Sequence, residues 1–288
     1  MPEAPAPPPL HPLMYEAVVR RALEEDLGLA GDLTADSVVA SDTRARARVV
    51  ARRAGRIAGL EAALSAFTLL DPSVSIQDGL ADGSDVQGGA TLALVEGPAR
   101  PLLSAERTAL NVLGRLSGIA TATRDVVAAV ADYPAKITCT RKTTPGLRAL
   151  EKYAVRVGGG ANHRFGLDDA VLIKDNHRAI AGGLAAAVER ARMRLGHMVK
   201  IEVEVDSLEE LEELLALDVD AVLFDNMTPE SLRQAVRRVG GRMVTEASGG
   251  ITLENVREVA ATGVDLISLG WLTHSAASLD VALDLAAA

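Results

Sequence analysis

Aromatic side chains are nearly missing from this chain: one Trp, three Tyr and three Phe in 288 residues. A core without them must be assembled from Ala, Val, Leu and Ile. That favours helices and buried strands over an aromatic-rich β-sandwich, and it leaves little with which to stack bases. Cysteine is scarcer still. The single Cys139 excludes a disulfide framework and a cysteine metal cluster, and its place inside an apolar run marks it as a small core residue. No run of about 18 apolar residues exists, so no helical membrane span is expected. The opening MPEAPAPPPLHP lacks the basic and apolar stretches of a signal peptide. It reads as a disordered proline-rich arm over residues 1–13, and the protein as cytoplasmic. An excess of positive charge is absent too. Net charge is −9, which argues against non-specific binding to nucleic acid or to an anionic membrane.

What remains is 48% hydrophobic and 24% charged, apolar enough for one large or two modest domains. All five lysines fall between Lys136 and Lys200, whereas arginine is spread along the chain. A Lys at a strand end in such a chain can serve as a compact point charge.

The first part of the chain reads as α+β with a small antiparallel sheet. Tyr15 to Leu27 has helical spacing, Asp32 to Thr34 reads as a loop, and Arg44 to Val50 alternates as an open strand does. Glu61 to Leu70 is helical, Val74 to Ile76 and Ala90 to Val95 are short strands, and a long helix runs from about Pro101 to Val130. From Lys136 the rhythm changes. Apolar strands are predicted at Ile137 to Thr140, Ala170 to Lys174, Lys200 to Val205, Ala221 to Asp225, Met243 to Ala247 and Leu266 to Leu269. Helices alternate with them at Pro145 to Arg156, Arg178 to Leu195, Leu208 to Leu217, Pro229 to Arg238 and Leu253 to Ala261. Such alternation implies a parallel sheet covered by helices, as a barrel or as a doubly wound sheet. Each strand ends in groups that are expensive to bury: Arg141 and Lys142, Lys174, Glu204, Asp225, Ser248 to Gly250, and Gly270. A barrel brings such ends to one mouth, where active sites sit, so the barrel is favoured.

Arg141 and Lys142 precede Pro145, where a helix is expected to start. Two cations facing a helix N-terminus repel it unless an anion lies between, so this is an anion site; the bland alternative is a solvated basic loop. Gly158, Gly159 and Gly160 permit close backbone approach, and His163 and Arg164 follow as donors. Lys174 is a Schiff-base nucleophile, a fixed cation or a snorkelling side chain. Glu204 and Asp225 would hold ribose hydroxyls or Mg²⁺, or offset a developing positive charge, or form a structural ion pair with Lys174. Ser248, Gly249 and Gly250 before a helix, and Gly270 after the next strand, suit a phosphate group. Arg107 on the long helix is either a surface group or one that reaches another subunit's pocket.

The segments TRKTTPGLRALEKYAVRVGGGANHRFGLDDAVLIKDNH, IEVEVDSLEEL, VLFDNM, EASGGIT and ERTALNVLGRLSGIATATR together resemble the quinolinate phosphoribosyltransferases. The resemblance runs from about Tyr15 to the C-terminus, and no motif position departs from the family pattern. It implies an N-terminal α/β sandwich over 14–117, completed by about 275–288, and an incomplete, seven-stranded α/β barrel over 118–274. It implies transfer of phosphoribosyl from phosphoribosyl pyrophosphate to the ring nitrogen of quinolinate. Loss of CO₂ then gives nicotinate mononucleotide, a step of de novo NAD synthesis.

By the same resemblance Arg141, His163, Arg164 and Lys174 would bind the two quinolinate carboxylates, with Arg107 arriving from the partner of a homodimer. Lys142 would reach the pyrophosphate. Glu204 and Asp225 would meet the ribose hydroxyls and the associated Mg²⁺, with no protein metal ligands assigned. Ser248, Gly249, Gly250 and Gly270 would hold the 5′-phosphate. Lys142, Lys174, Glu204 and Asp225 would form the catalytic set. The alternative reading is a related barrel transferase that takes nicotinate or another heteroaromatic acid.

Overall fold

The structure is a computed structural model that describes residues 7–77 and 79–285. In chain order its elements begin with α1 (Pro12–Leu27), α2 (Leu33–Val38), β1 (Arg44–Ala51), β2 (Gly55–Arg56), α3 (Leu60–Leu70), β3 (Ser75–Gln77), β4 (Asp85–Val86) and β5 (Thr91–Pro98). There follow α4 (Ala99–Ala129), β6 (Lys136–Thr138), α5 (Arg148–Val157), β7 (Val171–Ile173), α6 (Asp175–Ala181), α7 (Leu184–Arg194), β8 (Ile201–Val205) and α8 (Leu208–Leu214). The chain closes with β9 (Ala221–Asp225), α9 (Pro229–Val239), β10 (Val244–Ser248), α10 (Val256–Ala260), β11 (Leu266–Ser268), α11 (Trp271–His274) and β12 (Val281–Leu285). The chain divides into two compact units. The first runs to Arg124, takes in Thr143–Gly159 and resumes at Leu272; the second comprises Asp125–Lys142 and Gly160–Trp271.

In the first unit β1 pairs antiparallel with both β12 and β5, and β3 adds to β5. The alternating Arg-Ala-Arg-Ala start of β1 leaves Arg44 and Arg48 exposed while Ala47 and Val49 are buried, so its period of two separates a wet face from a dry one. The helix α1 buries Tyr15, Val19 and Leu23, four residues apart, as one stripe. The segment leading to β12 lies against α4 at Gly114 and Gly118. A Cβ on Gly118 would stand 2.1 Å from the Ala277 carbonyl oxygen, so only glycine admits this approach. A buried ion pair joins Arg115 to Glu151 at 2.8 Å, and Glu151 also accepts from the Thr144 N–H and hydroxyl.

Local expectations are corrected at several points. Of the expected arm, residues 1–6 lie outside the described residues, residues 7–11 carry no regular structure, and Pro12 and Leu13 already belong to α1. Asp32 to Thr34 is a helix start and not a loop, because the Asp32 carboxylate accepts from the Ala35 N–H and caps α2. Pro145 does not open α5, which begins at Arg148; Gly146 has φ +82°, a left-handed turn that cannot continue a helix. The helix expected over Arg178 to Leu195 is two, α6 and α7, parted at Gly182 and Gly183 with φ of +87° and +122°.

The second unit is an α/β arrangement built on a six-stranded parallel sheet of order β6-β11-β10-β9-β8-β7. The first strand in sequence therefore lies beside the last. On its free side β6 makes one further parallel bridge, Thr138 to Ala161. In β8 burial alternates, with Ile201, Val203 and Val205 closed off, and in β9 Val222 and Phe224 hold the corresponding positions and are fully buried. The same alternation sends Glu202 and Glu204, Leu223 and Asp225, and Glu246 and Ser248 to the opposite face.

Candidate active site

That opposite face and the strand ends enclose a cavity of about 320 Å³ in the second unit. Its walls are Thr140, Arg141 and Lys142 after β6, His163 and Arg164 from the loop before β7, and Leu172 and Lys174 from β7 and its end. Glu204, Leu223, Asp225, Glu246, Ser248 and Ser268 complete it from β8 to β11. Eight of the twelve residues singled out from the sequence are thus gathered: Arg141, Lys142, His163, Arg164, Lys174, Glu204, Asp225 and Ser248.

Four are not in its walls. Gly249 and Gly250 turn the chain out of β10 with φ of +93° and +62°. A Cβ on Gly249 would sit 2.3 Å from Asn226 Oδ1, so glycine is needed both for the turn and for the Asn226 side chain packed on it. The glycine turn does not run straight into a helix, since α10 begins only at Val256. The intervening loop is held by Asn255, whose Oδ1 accepts from the Thr252 N–H and whose amide donates to the Gly250 carbonyl, and by Trp271, whose indole N–H donates to the Ile251 carbonyl at 3.0 Å. Gly270 follows β11 directly. Arg107 stands on α4 in the first unit, exposed, in a groove that it shares with Asn111, Ser278 and Asp280.

The electrostatics of the cavity are those of cations held close together. Arg164 is fixed by a hydrogen bond from its guanidinium to the Ala170 carbonyl at 3.0 Å. Burial, then the neighbouring Arg141 charge, pull its pKa below the ordinary guanidinium value, and Glu202 partly offsets this. Its loop is pinned by Asp169, which accepts from the Phe165 and Gly166 N–H groups; those bonds outweigh burial and hold its carboxyl below the ordinary range. Lys174 is ion-paired with Glu204 at the mouth, and Asn226 donates to Asp225 at 2.9 Å. The Lys142 N–H donates to the Thr140 hydroxyl at 3.0 Å, which shapes the turn that presents both cations.

Beneath these groups lies a set that the sequence reading passed over. Glu202 stands two residues before Glu204 on β8 and accepts from His163 Nε2 at 2.9 Å. Glu246 stands two residues before Ser248 on β10, only 1% exposed. Burial, then the Glu202 charge, push its carboxyl up to about 7, against pulls from His163 and the Ser268 hydroxyl. The signal was available: in Glu202-Val203-Glu204 and Glu246-Ala247-Ser248, a period of two puts the earlier acid on the same face as the residue that was chosen.

A cluster of guanidinium and ammonium groups that repel one another is the arrangement expected of a polyanion site, with carboxylates and hydroxyls placed for a sugar beside it. Comparison with known proteins gives the same class. The chain matches the quinolinate phosphoribosyl transferase C-terminal domain over residues 119–284 and the N-terminal domain of the same family over residues 32–117. It is 46% identical to the probable nicotinate-nucleotide pyrophosphorylase (carboxylating) of Bacillus subtilis, across 95% of this chain and 94% of that one. It is also 46% identical to the nicotinate-nucleotide pyrophosphorylase (carboxylating) of Mycobacterium leprae, across 93% and 95%. The crystal structure of NadC from Streptococcus pyogenes superposes with a TM-score of 0.93 at 40% identity, covering 97% of this chain and 99% of that one. With both halves matched and the cationic cavity formed by the matched C-terminal part, this chain belongs to the quinolinate phosphoribosyltransferase family.

Proposed function

We propose that this enzyme transfers a phosphoribosyl group from phosphoribosyl pyrophosphate to quinolinate, releasing pyrophosphate and CO₂ and forming nicotinate mononucleotide for NAD synthesis. The observation that carries the reading is the meeting of Arg141, Lys142, Arg164 and Lys174 with Glu204 and Asp225 in one cavity. Two vicinal carboxylates need more than one cation, and Arg141, Arg164 and Lys174 supply them, with His163 in the same wall. The ring nitrogen then attacks C1 of the ribose as pyrophosphate departs on the Lys142 side.

The sugar passes through an oxocarbenium-like state, which the carboxylates of Glu204 and Asp225 stabilise. The Ser248 hydroxyl and the Gly249, Gly250 and Gly270 backbone are assigned to the 5′-phosphate. Once the ring nitrogen is quaternised, the carbanion left at C2 by loss of CO₂ lies beside a positive charge, and water returns the proton. No side chain has to act as a strong base.

Mg²⁺ enters with the diphosphate as part of that substrate. It takes oxygen ligands and keeps water, so the oxygen-rich mouth is of the right kind for it. What it supplies is neutralisation of the leaving group, and no protein ligand is assigned to it.

We further assign the second unit as a seven-stranded, incomplete barrel. The adjacency of β6 and β11 and the bridge at Ala161 support this. The active enzyme is assigned as a homodimer in which Arg107 comes from a second copy; its exposure on α4 is consistent with that use. The test is release of pyrophosphate and CO₂ in equal amounts from quinolinate, phosphoribosyl pyrophosphate and Mg²⁺. Absence of both under all conditions overturns the reading. Activity regained on mixing inactive Arg107→Ala and Arg141→Ala chains supports the shared site, and a mixture as inactive as its parts overturns it.

A further inference from the structure

Beneath the cations of the cavity a ring and two acids are packed together. His163 Nδ1 accepts from the Arg164 backbone N–H at 2.7 Å, so that nitrogen carries no proton. The ring proton is therefore on Nε2, which faces Glu202 Oε2 at 2.9 Å and Glu246 Oε1 at 3.7 Å. Glu246 Oε1 is fully buried and has no hydrogen-bond partner among the described residues. An ionised carboxylate in that position would be a second buried negative charge beside Glu202, with only His163 and the Ser268 hydroxyl to offset it, whereas a neutral carboxylic acid would add no charge.

We propose that Glu246 is a positioning residue of the acceptor site: a neutral acid that closes the floor behind the His163–Glu202 pair, so that the floor carries one negative charge and not two. The single charge on Glu202 then acts on Arg164, which stands beside Arg141, and His163 is the strut that ties it to the Arg164 backbone. A second negative charge in the floor would draw those guanidinium groups away from a carboxylate substrate. This rests on the reading of the cavity as the quinolinate site.

Other groups act on Glu246 from each neighbouring element. Glu202 comes from β8, His163 from the loop before β7, and Ser268 from β11. From β9 the in-register residue is the apolar Leu223. The remaining charged groups of the cavity are Arg141, Lys142, Arg164, Lys174, Glu204 and Asp225.

The test compares the full-length wild type with Glu246→Gln, a neutral group of the same shape, and Glu246→Ala. In the wild type, kcat/KM for quinolinate should fall as pH rises through the neutral range, because the floor gains its second charge there. The Gln variant should keep the low-pH kcat/KM within about threefold and lose that fall. The Ala variant should raise KM for quinolinate about tenfold or more with kcat less affected. A Gln variant with the wild-type pH profile, or one as impaired as Ala, overturns the proposal.

A second readout needs no substrate. Nitrogen-15 spectra of histidine-labelled protein, assigned with His163→Asn, should show the Nε2–H tautomer of His163 in both wild type and Glu246→Gln between about pH 5 and 8. A ring titrating as imidazolium in that range overturns the assignment. Should the wild type fail to turn over quinolinate, the functional reading falls, while the tautomer measurement still decides whether His163 is the neutral Nε2–H ring on which the assignment of the floor rests.

Discussion

Two levels of the same parallel sheet carry opposite designs. At the mouth, Arg141, Arg164 and Lys174 stand close together, and the pKa of Arg164 is lowered by burial and by its neighbour's charge. At the floor, two residues deeper along β8 and β10, Glu202 pairs with His163, and Glu246 lies buried behind them with its pKa raised by burial and then by the Glu202 charge. The mouth holds like charges against one another, with Lys174 answered by Glu204 and Arg164 anchored on the Ala170 carbonyl. The floor is closed by groups of the protein itself. Position along a strand, and not residue type, sets the surroundings of each acid: Glu204 meets Lys174 at the mouth and Glu202, one pleat repeat earlier, meets His163 at the floor.

The comparison breaks most visibly at the mouth. Arg141→Ala and Arg164→Ala should each lower kcat/KM for quinolinate by about a hundredfold to a thousandfold, the loss expected for a desolvated charge-assisted contact. The unfolding midpoint should stay level or rise, since a repulsive neighbour has been removed. Equal losses of stability and activity would show that the two levels are not distinct.

The floor should respond in the opposite sense. Burial, then the Glu202 charge, raise the folded pKa of Glu246 to about 7, above an unfolded value of about 4.3. Its contribution is therefore fully present below about pH 4 and is lost as pH rises through about 7. Relative to Glu246→Gln, the wild type should lose stability across that window, by about 4 kcal/mol at most, and then level off. Denaturant midpoints at a series of pH values measure this, and a difference that does not change with pH contradicts it.

Smaller effects are expected at the rim. Gly249→Ala introduces a Cβ at φ +93° against Asn226 and should cost about 2 kcal/mol in unfolding free energy. Trp271→Phe removes only the indole bond to Ile251 and should cost about 1 kcal/mol. In this variant KM for phosphoribosyl pyrophosphate should rise more than KM for quinolinate, because the loop it pins follows Ser248.

The parallel sheet was legible because buried strands announce themselves. Runs such as Ala221 to Asp225 are apolar throughout and are followed by helical spacing. The mouth was legible for the same reason, since a cation or acid after such a run is conspicuous. Less legible were features that depend on backbone path. Gly146 delays α5 to Arg148, and Gly182 and Gly183 split a helix whose side-chain pattern is continuous. Glu202 and Glu246 were less conspicuous because each precedes the last polar residue of its strand, although alternation puts both acids on the cavity face. The state of His163 was not legible at all, because it depends on a backbone N–H and two carboxylates brought together from three separate segments.

The central claim is that the cation cluster at the mouth is built for a diacid. Initial rates with quinolinate and nicotinate, measured side by side with phosphoribosyl pyrophosphate and Mg²⁺, test it most directly. The expected result is a kcat/KM at least about a hundredfold higher for quinolinate, since its second carboxylate takes up a cation contact that nicotinate cannot. Equal use of the two acids, or a preference for nicotinate, would contradict it.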